Sequence, residues 1–366
     1  MENYRPAIGA PVRDLDTPCL LIDMEALEHN YRFVAETYKD SACKMRAHVK
    51  NTKSPIVAHL QIREGGTVGG VCTAKVAEAE VMVEGGIDDI LIPNQVVTDD
   101  KITRLCSVAE RANITVGIDN PDNVRNLSRI ASRRGVNIGV VIEVDTSMGR
   151  AGIREKEQGV ELAKLAHSLP GVDFKGVMSH QTLDGAPDRE TRFIWGRKYI
   201  QQCLDVKDAI EAEGIPVEVV SSGETFTIDV AATIPGVTEV EGGTYALMSH
   251  NFDYMDDLRY AAKILCTVVS APRPGTMVAD VGSRALASPG GVLPFVEDMP
   301  HLTAQALHEE HIVFQVDGGP APEVGDKLVL ISGQQDMLTN RWDQYIAVRN
   351  GEVEAVWNIT ARGCHN

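Results

Sequence analysis

Short apolar runs alternate with amphipathic stretches along the first two thirds of the chain. The β-like runs fall at residues 17–23, 44–50, 67–72, 89–93, 115–119, 138–145, 174–179, 217–221 and 239–248. Between them, residues 24–39, 74–84, 101–111, 120–134, 155–169 and 188–213 carry helical spacing. Glycines follow several of these stretches (Gly65-Gly66, Gly85-Gly86, Gly214), where a helix end favours a residue free to turn left-handed. Strand–helix units repeated in this way predict parallel strands joined by right-handed crossovers. From residue 44 onward the eight runs predict an α/β fold, a closed (β/α)8 TIM-like barrel. An open doubly wound sheet is the alternative, but no G-x-G-x-x-G follows the first strand to support a dinucleotide site.

The texture changes after Asp253. Runs at 262–270, 311–316, 327–331 and 345–348 are separated by Gly/Pro turns such as Pro272-Arg273-Pro274-Gly275 and Gly318-Gly319-Pro320. Asn350-Gly351 separates 345–348 from a run at 353–357, and both residues tolerate positive φ, so a hairpin is predicted. These features predict a C-terminal antiparallel β domain. The segment up to about Asp23 precedes the first barrel element and is expected to join it. The expected domains are therefore a barrel over 25–252 and a β domain made of 1–24 with 253–366.

Composition narrows the function classes. A chain of 366 residues fits one large barrel plus a smaller domain. The net charge of -17 is spread along the chain. It argues against nucleic acid and against an anionic membrane as partners, since both call for basic patches. The seven cysteines are scattered, odd in number and lack C-x-x-C spacing, which points to free thiols in a reducing compartment. No basic segment followed by an apolar run reads as a signal peptide, and no apolar run is long enough to span a bilayer. A cytoplasmic protein is expected.

Candidate chemistry gathers at predicted strand ends, where a barrel places its active site. Lys50 closes the run 44–50; a desolvated lysine beside other cations loses its proton and forms Schiff bases. Arg150 follows 138–145 in VDTSMGRAG, and His180 ends GVMSH. Two Gly/Ser/Thr turns, Ser221-Ser222-Gly223-Glu224-Thr225 and Glu241-Gly242-Gly243-Thr244-Tyr245, offer backbone N–H groups of the kind that bind phosphate. Taken singly, Lys50 reads as a solvated lysine, Arg150 as a surface arginine, His180 as a packed histidine and each turn as an ordinary loop. Together they describe a site for a phosphate-bearing aldehyde cofactor.

The chain resembles the fold-type III pyridoxal-phosphate enzymes, in the D-threonine aldolase, 3-hydroxy-D-aspartate aldolase and D-serine dehydratase branch of the alanine-racemase-like barrels. The resemblance runs nearly end to end. It rests on DTPCLLID, R-x-H-x-K around Lys50, EAEVMVEGGIDDILIPNQVV, VDTSMGRAGI, SSGETFT, EGGTYALM, DVGSRALAS, EEH at 309–311 and the closing ARG. It implies pyridoxal 5'-phosphate as cofactor, with Lys50 as the Schiff-base residue. It also implies Arg150 at the phenolic oxygen or the lysine, and His180 against the pyridine ring. Ser222, Gly223, Thr225, Gly243 and Thr244 are implied as phosphate-binding, with Tyr245 beside them. Glu241 resembles the glutamate of barrel-type decarboxylases, which favours a protonated ring nitrogen; a solvated strand-end glutamate is the competing reading.

The chain departs from that branch at its metal pair. Gly333-Gln334-Gln335-Asp336 stands where relatives carry Gly-His-Cys-Asp, so Gln334 replaces the imidazole and Asp336 remains as the metal candidate. Lys50-Asn51-Thr52-Lys53 likewise lacks the histidine usual after the lysine. His48, His250 and His311 are then the candidates for the base acting on a substrate hydroxyl. The resemblance implies a lyase cleaving a D-configured 3-hydroxy amino acid to glycine and an aldehyde, acting as a homodimer. A dehydratase or racemase acting on a D-amino acid is the alternative within the class, and a non-catalytic cofactor carrier is the alternative outside it.

Overall fold

The computed structural model of the chain describes residues 4–181, 183, 186, 188–250 and 255–366. The chain divides into two compact units. One comprises Met1–Phe33, Asn51–Ser54 and Thr244–Gly363; the other comprises Val34–Lys50, Pro55–Gly243 and Cys364–Asn366. The domain boundary expected at 252/253, and the change of texture at Asp253, lie outside the described residues.

The chain opens with strand β1 (Cys19–Asp23) and helix α1 (Met24–Tyr38). It then runs through a closed barrel of eight parallel strands: β2 (Lys44–His48), β3 (Thr67–Cys72), β4 (Asp89–Gln95), β5 (Asn113–Ile118), β6 (Ile138–Glu143), β7 (Val172–Ser179), β8 (Val219–Ser222) and β9 (Glu239–Val240). The (β/α)8 expectation from strand spacing matches this architecture. Closure comes from β9, which pairs with β8 at Ser221↔Glu239 and with β2 at Lys44↔Glu239 and Met45↔Val240.

Helices α2 (Pro55–Glu64), α3 (Val76–Glu84), α4 (Asp99–Ala109), α5 (Pro121–Arg134), α6 (Lys156–Ser168), α7 (Arg189–Ala212) and the short α8 (Ile228–Ala231) connect the strands. Their ends are written in the sequence. Asn120 caps α5 by accepting from the Asp122 and Asn123 N–H groups, Pro121 occupies the first turn, and Gly135 ends the helix at φ 70°. Thr98 and Asp188 cap α4 and α7 in the same way.

Inside the barrel Cys72, Leu91, Val141 and Met178 form one buried layer, supplied by four strands. Near the lower rim, Arg46 makes two 2.9 Å bonds to the Glu239 carboxylate and a third of 2.9 Å to Asp89. Charges taken out of water in this way need full pairing, and the two carboxylates supply it.

Two strand readings are corrected. The run 44–50 is a strand only to His48, and Lys50 lies in the turn beyond. The run 239–248 contains a two-residue strand, β9; after Gly242-Gly243 the chain forms helix α9 (Thr244–Leu247). Adjacent glycines weaken a strand because they offer no side chain to pack, and a short apolar run such as Tyr-Ala-Leu does not by itself distinguish strand from helix.

The other unit is built on a nine-stranded sheet. It contains β10 (Ala262–Arg273), β11 (Thr276–Ala279), β12 (Phe295–Val296), β13 (Leu302–Leu307), β14 (Ile312–Val316), β15 (Lys327–Ile331), β16 (Gln344–Arg349) and β17 (Glu352–Asn358), with helix α10 (Gln335–Thr339) before β16. As expected, β1 joins this sheet and Asn350-Gly351 turns the β16–β17 hairpin. The sheet is not purely antiparallel: β1 pairs antiparallel with β10 but parallel with β16. Strands β11, β12 and β13 escape the sequence reading. Leu15, Cys19, Leu21, Leu265, Ile346 and Val353 form the core on one face.

Candidate active site

Parallel barrel strands deliver their last residues to one rim, and the candidate residues stand there. Arg46 and His48 share the parity of β2, so the strand period sends them to one face, and Lys50 lies in the turn that follows. Arg46 is already paired inside the barrel, and His48 is 8 % exposed. The Lys50 N–H points to His48 Nδ1 at 3.5 Å. Lys50 itself is partly buried.

His180 follows β7. Its pKa is pushed down to about 3, first by desolvation and then by the charges of Lys50 and Arg150. The three predicted side chains are therefore within electrostatic reach of one another, and the imidazole is neutral at ordinary pH. Arg150 is exposed, and its Nη2 lies 3.7 Å from Glu143 Oε1.

Glu241 follows β9 and is buried. Ser221 Oγ donates to its Oε1 at 2.8 Å, and Cys72 Sγ lies 3.2 Å from Oε2. Burial raises its pKa to about 7, against the lowering effect of the Ser221 bond. The solvated strand-end glutamate is thus replaced by a buried one that still holds a proton near neutrality.

The first phosphate-type turn is also buried. Ser222 Oγ lies 2.7 Å from Ser179 Oγ, and Gln181 Nε2 contacts both hydroxyls, at 3.1 and 2.8 Å. Gly223 adopts φ +129°, and a Cβ there would meet Thr227 Oγ1 at 2.8 Å. A side chain is therefore excluded on both conformational and steric grounds. Thr225 opens the 3₁₀ turn that follows. Gly242 O accepts from the His48 N–H at 2.7 Å, tying the second turn to β2. Gly243 ends the barrel unit. Thr244 and Tyr245 open α9 and count with the other unit, where Tyr245 is fully buried and edge-on to Tyr31 at 6.4 Å.

A lysine, a neutral imidazole, a guanidinium, a buried carboxyl group and a hydroxyl-lined glycine turn fit a phosphorylated pyridine aldehyde. The amine suits the aldehyde, the carboxyl group suits a ring nitrogen and the turn suits a phosphate. Glu143 and Gln95, at two further strand ends, escape the sequence reading. The signal was present: a glutamate ending the otherwise apolar run Ile-Gly-Val-Val-Ile has to be explained once all six residues of β6 are buried.

The metal candidate belongs to the other unit. Asp336 lies in the first turn of α10, and its Oδ1 is buried without a protein partner, as are both polar atoms of Gln335. Of these atoms, Asp336 Oδ1 and Gln335 Oε1 are oxygen donors of the hard-ion type, while Gln335 Nε2 can only donate a hydrogen bond. Among the described residues no group of three or more His, Cys, Asp or Glu side chains is placed to hold a metal ion. Asn51, Thr52 and Lys53 also belong to this unit. Their carbonyls accept from Thr339 Oγ1 at 2.9 Å, Tyr345 OH at 2.8 Å and the Ala361 N–H at 3.0 Å.

Comparison with known proteins agrees with this fold. The family model for the alanine racemase N-terminal domain matches residues 22–250, and that for a putative serine dehydratase domain matches 261–348. The chain is 36 % identical over 374 residues to a 3-hydroxy-D-aspartate aldolase of Paracoccus denitrificans (strain Pd 1222), covering 98 % of this chain and 95 % of that one. It is 32 % identical over 362 residues to a D-threonine aldolase of an Arthrobacter species, covering 97 % and 95 %. The crystal structure of D-threonine aldolase from Filomicrobium marinum superposes with a TM-score of 0.94 at 29 % identity, covering 99 % of this chain and 100 % of that one. With its barrel and its β domain both matched, the chain belongs to the alanine-racemase-like barrel family, in the branch that joins this barrel to a serine dehydratase-type domain.

Proposed function

We propose that the chain is a pyridoxal-phosphate-dependent lyase that cleaves a D-configured 3-hydroxy amino acid to glycine and an aldehyde. The observation that carries this reading is that Lys50 and Arg150 lie within electrostatic reach of the His180 ring after β7, with a buried carboxyl group, Glu241, following β9. Full-length likeness to two aldolases of that substrate class supports it.

Bound at this site, the cofactor supplies an electron sink for the charge left on the substrate α-carbon when a bond to it breaks. Lys50 Nζ would hold the cofactor's aldehyde carbon. The Ser222-Gly223 turn, with Thr225 and Gly243, would hold its phosphate. Glu241, buried and in contact with Ser221 and Cys72, would supply or hold a proton at Oε, since its pKa is close to 7. His180 offers an uncharged ring face. Arg150 supplies fixed positive charge.

The β-hydroxyl proton needs an acceptor. His180 is too weak a base, with its pKa near 3. His250 is edge-on to Phe295 at 4.8 Å, and His311 is exposed; both belong to the β unit. His48 stands in the barrel unit, two residues before Lys50, and we assign it this proton. Asp336 is the residue that would hold a divalent ion.

Borohydride reduction of the cofactor-loaded chain tests the assignment of Lys50. Peptide mass mapping is expected to find the pyridoxyl group on the peptide containing Lys50. Label on another lysine, or on none, contradicts the reading.

A further inference from the structure

Glu143 is a buried acid of the barrel that the proposed chemistry does not use. It ends β6, two residues after Val141, which packs in the inner layer with Cys72, Leu91 and Met178. The strand period sends Glu143 to the same inner face, one layer nearer the rim. It is 4 % exposed. Desolvation raises its pKa, the Gln95 bond and the Arg150 charge oppose the rise, and Asp119 adds to it.

Each carboxylate oxygen has its own partner. Gln95 Nε2, at the end of β4, donates to Oε2 at 2.5 Å, while Arg150 Nη2 lies 3.7 Å from Oε1. The loop that carries Arg150 is fixed at its base. Ile153 N–H donates to Glu143 O at 2.9 Å, and Asp145 N–H donates to Ile153 O at 2.9 Å. The Gly152 N–H donates to Asp119 Oδ2 at 3.0 Å, and Arg154 pairs with Asp145 at 3.0 Å. The backbone is therefore held, yet the Arg150 side chain is 53 % exposed. A side chain of that length has many rotamers and needs an anchor to be directed.

Resting on the lyase reading, we propose that Glu143, oriented by Gln95, is a positioning residue that holds the Arg150 guanidinium over the barrel mouth. A purely structural acid would bring no advantage here. A buried carboxylate costs desolvation that an apolar or amide side chain of similar size avoids. The cost is explained when the charge has a cation to direct.

The test is a double-mutant cycle on the full chain. Glu143→Gln, Arg150→Lys and the double variant are titrated with pyridoxal 5'-phosphate, following the cofactor's visible band, and are then assayed for kcat and KM. Each single variant is expected to lose about tenfold in cofactor affinity or kcat, and the double variant is expected to be no worse than Arg150→Lys. A Glu143→Gln variant at wild-type values overturns the proposal. So does a double variant whose loss is the product of the two single losses, since a structural role would persist without the arginine. If Glu143→Gln does not fold, Gln95→Leu keeps the carboxylate, removes its orienting donor and is read in the same cycle. A wild-type chain that acquires no visible band overturns the lyase reading, and this inference with it. A wild-type band with an unaffected cycle overturns the inference alone.

Discussion

Ser221 Oγ donates to Glu241 Oε1 at 2.8 Å across the last two strands of the barrel. This bond favours the charged carboxylate, yet burial outweighs it and leaves the Glu241 pKa near 7. This buried carboxyl group is thus poised to change charge close to neutrality.

A stability slope follows. The unfolded glutamate releases its proton near the ordinary value of 4.5, while the folded one keeps it to about 7. Glu241 therefore contributes stability that is fully present below the lower value and is lost as pH rises through the upper one, on the order of 3 kcal/mol in all. Urea unfolding of the cofactor-free chain at several pH values should show a steeper decline for the wild type than for Glu241→Gln. Parallel profiles would contradict the burial argument.

His180 gives the opposite slope. Its folded pKa is about 3, against an ordinary value of 6.5. The unfolded state takes up a proton that the folded state refuses, so stability is lost as pH falls from the upper value towards the lower. About 2 kcal/mol should disappear by about pH 5. His180→Gln is expected to flatten this acid limb in thermal melts. An acid limb unchanged by the substitution would sink the assignment of a desolvated, neutral imidazole.

The Arg46–Glu239 pair gives a test of the barrel itself. Arg46→Met leaves the Glu239 carboxylate, 5 % exposed at its side chain, without its bidentate partner. Breaking one side of a buried pair costs about 3–5 kcal/mol, whereas replacing both sides by apolar groups often costs far less. Denaturant midpoints should therefore recover in Arg46→Met/Glu239→Leu relative to Arg46→Met. A double variant as unstable as the sum of the two singles would show that the charges do not act as a unit.

His48→Gln separates base from scaffold. Its kcat is expected to fall about 100-fold or more, as for loss of a general base. Borohydride labelling of Lys50 should persist. Loss of labelling together with turnover would assign His48 to the fold instead.

Much of the fold was legible because repeated strand–helix spacing leaves few topologies, and strand ends of a barrel converge by construction. Lys50, Arg150 and His180 stood out because each is a basic or titratable residue at the end of a predicted strand or in the loop after it. Glu143 did not, because the apolar run reads on to Asp145, which places Glu143 inside the strand instead of at its end. The Arg46–Glu239 pair joins residues 193 positions apart, and only barrel closure brings them together. Strand β9 was overread because an apolar Tyr-Ala-Leu follows Gly242-Gly243, and a short apolar run carries no period. Asn51 to Ser54 read only as polar residues between a strand and a helix, but the carbonyls of Asn51, Thr52 and Lys53 bond to Thr339, Tyr345 and Ala361, which no local pattern announces.

The reaction itself is the most direct test. The cofactor-loaded chain is incubated with 3-hydroxy-D-aspartate and with D-threonine, and with their L-enantiomers, and all products are quantified. Equal amounts of glycine and aldehyde are expected, glyoxylate from the first and acetaldehyde from the second, from the D-substrates alone. Ammonia and a keto acid in place of glycine, or no turnover of any of the four, would contradict the lyase reading.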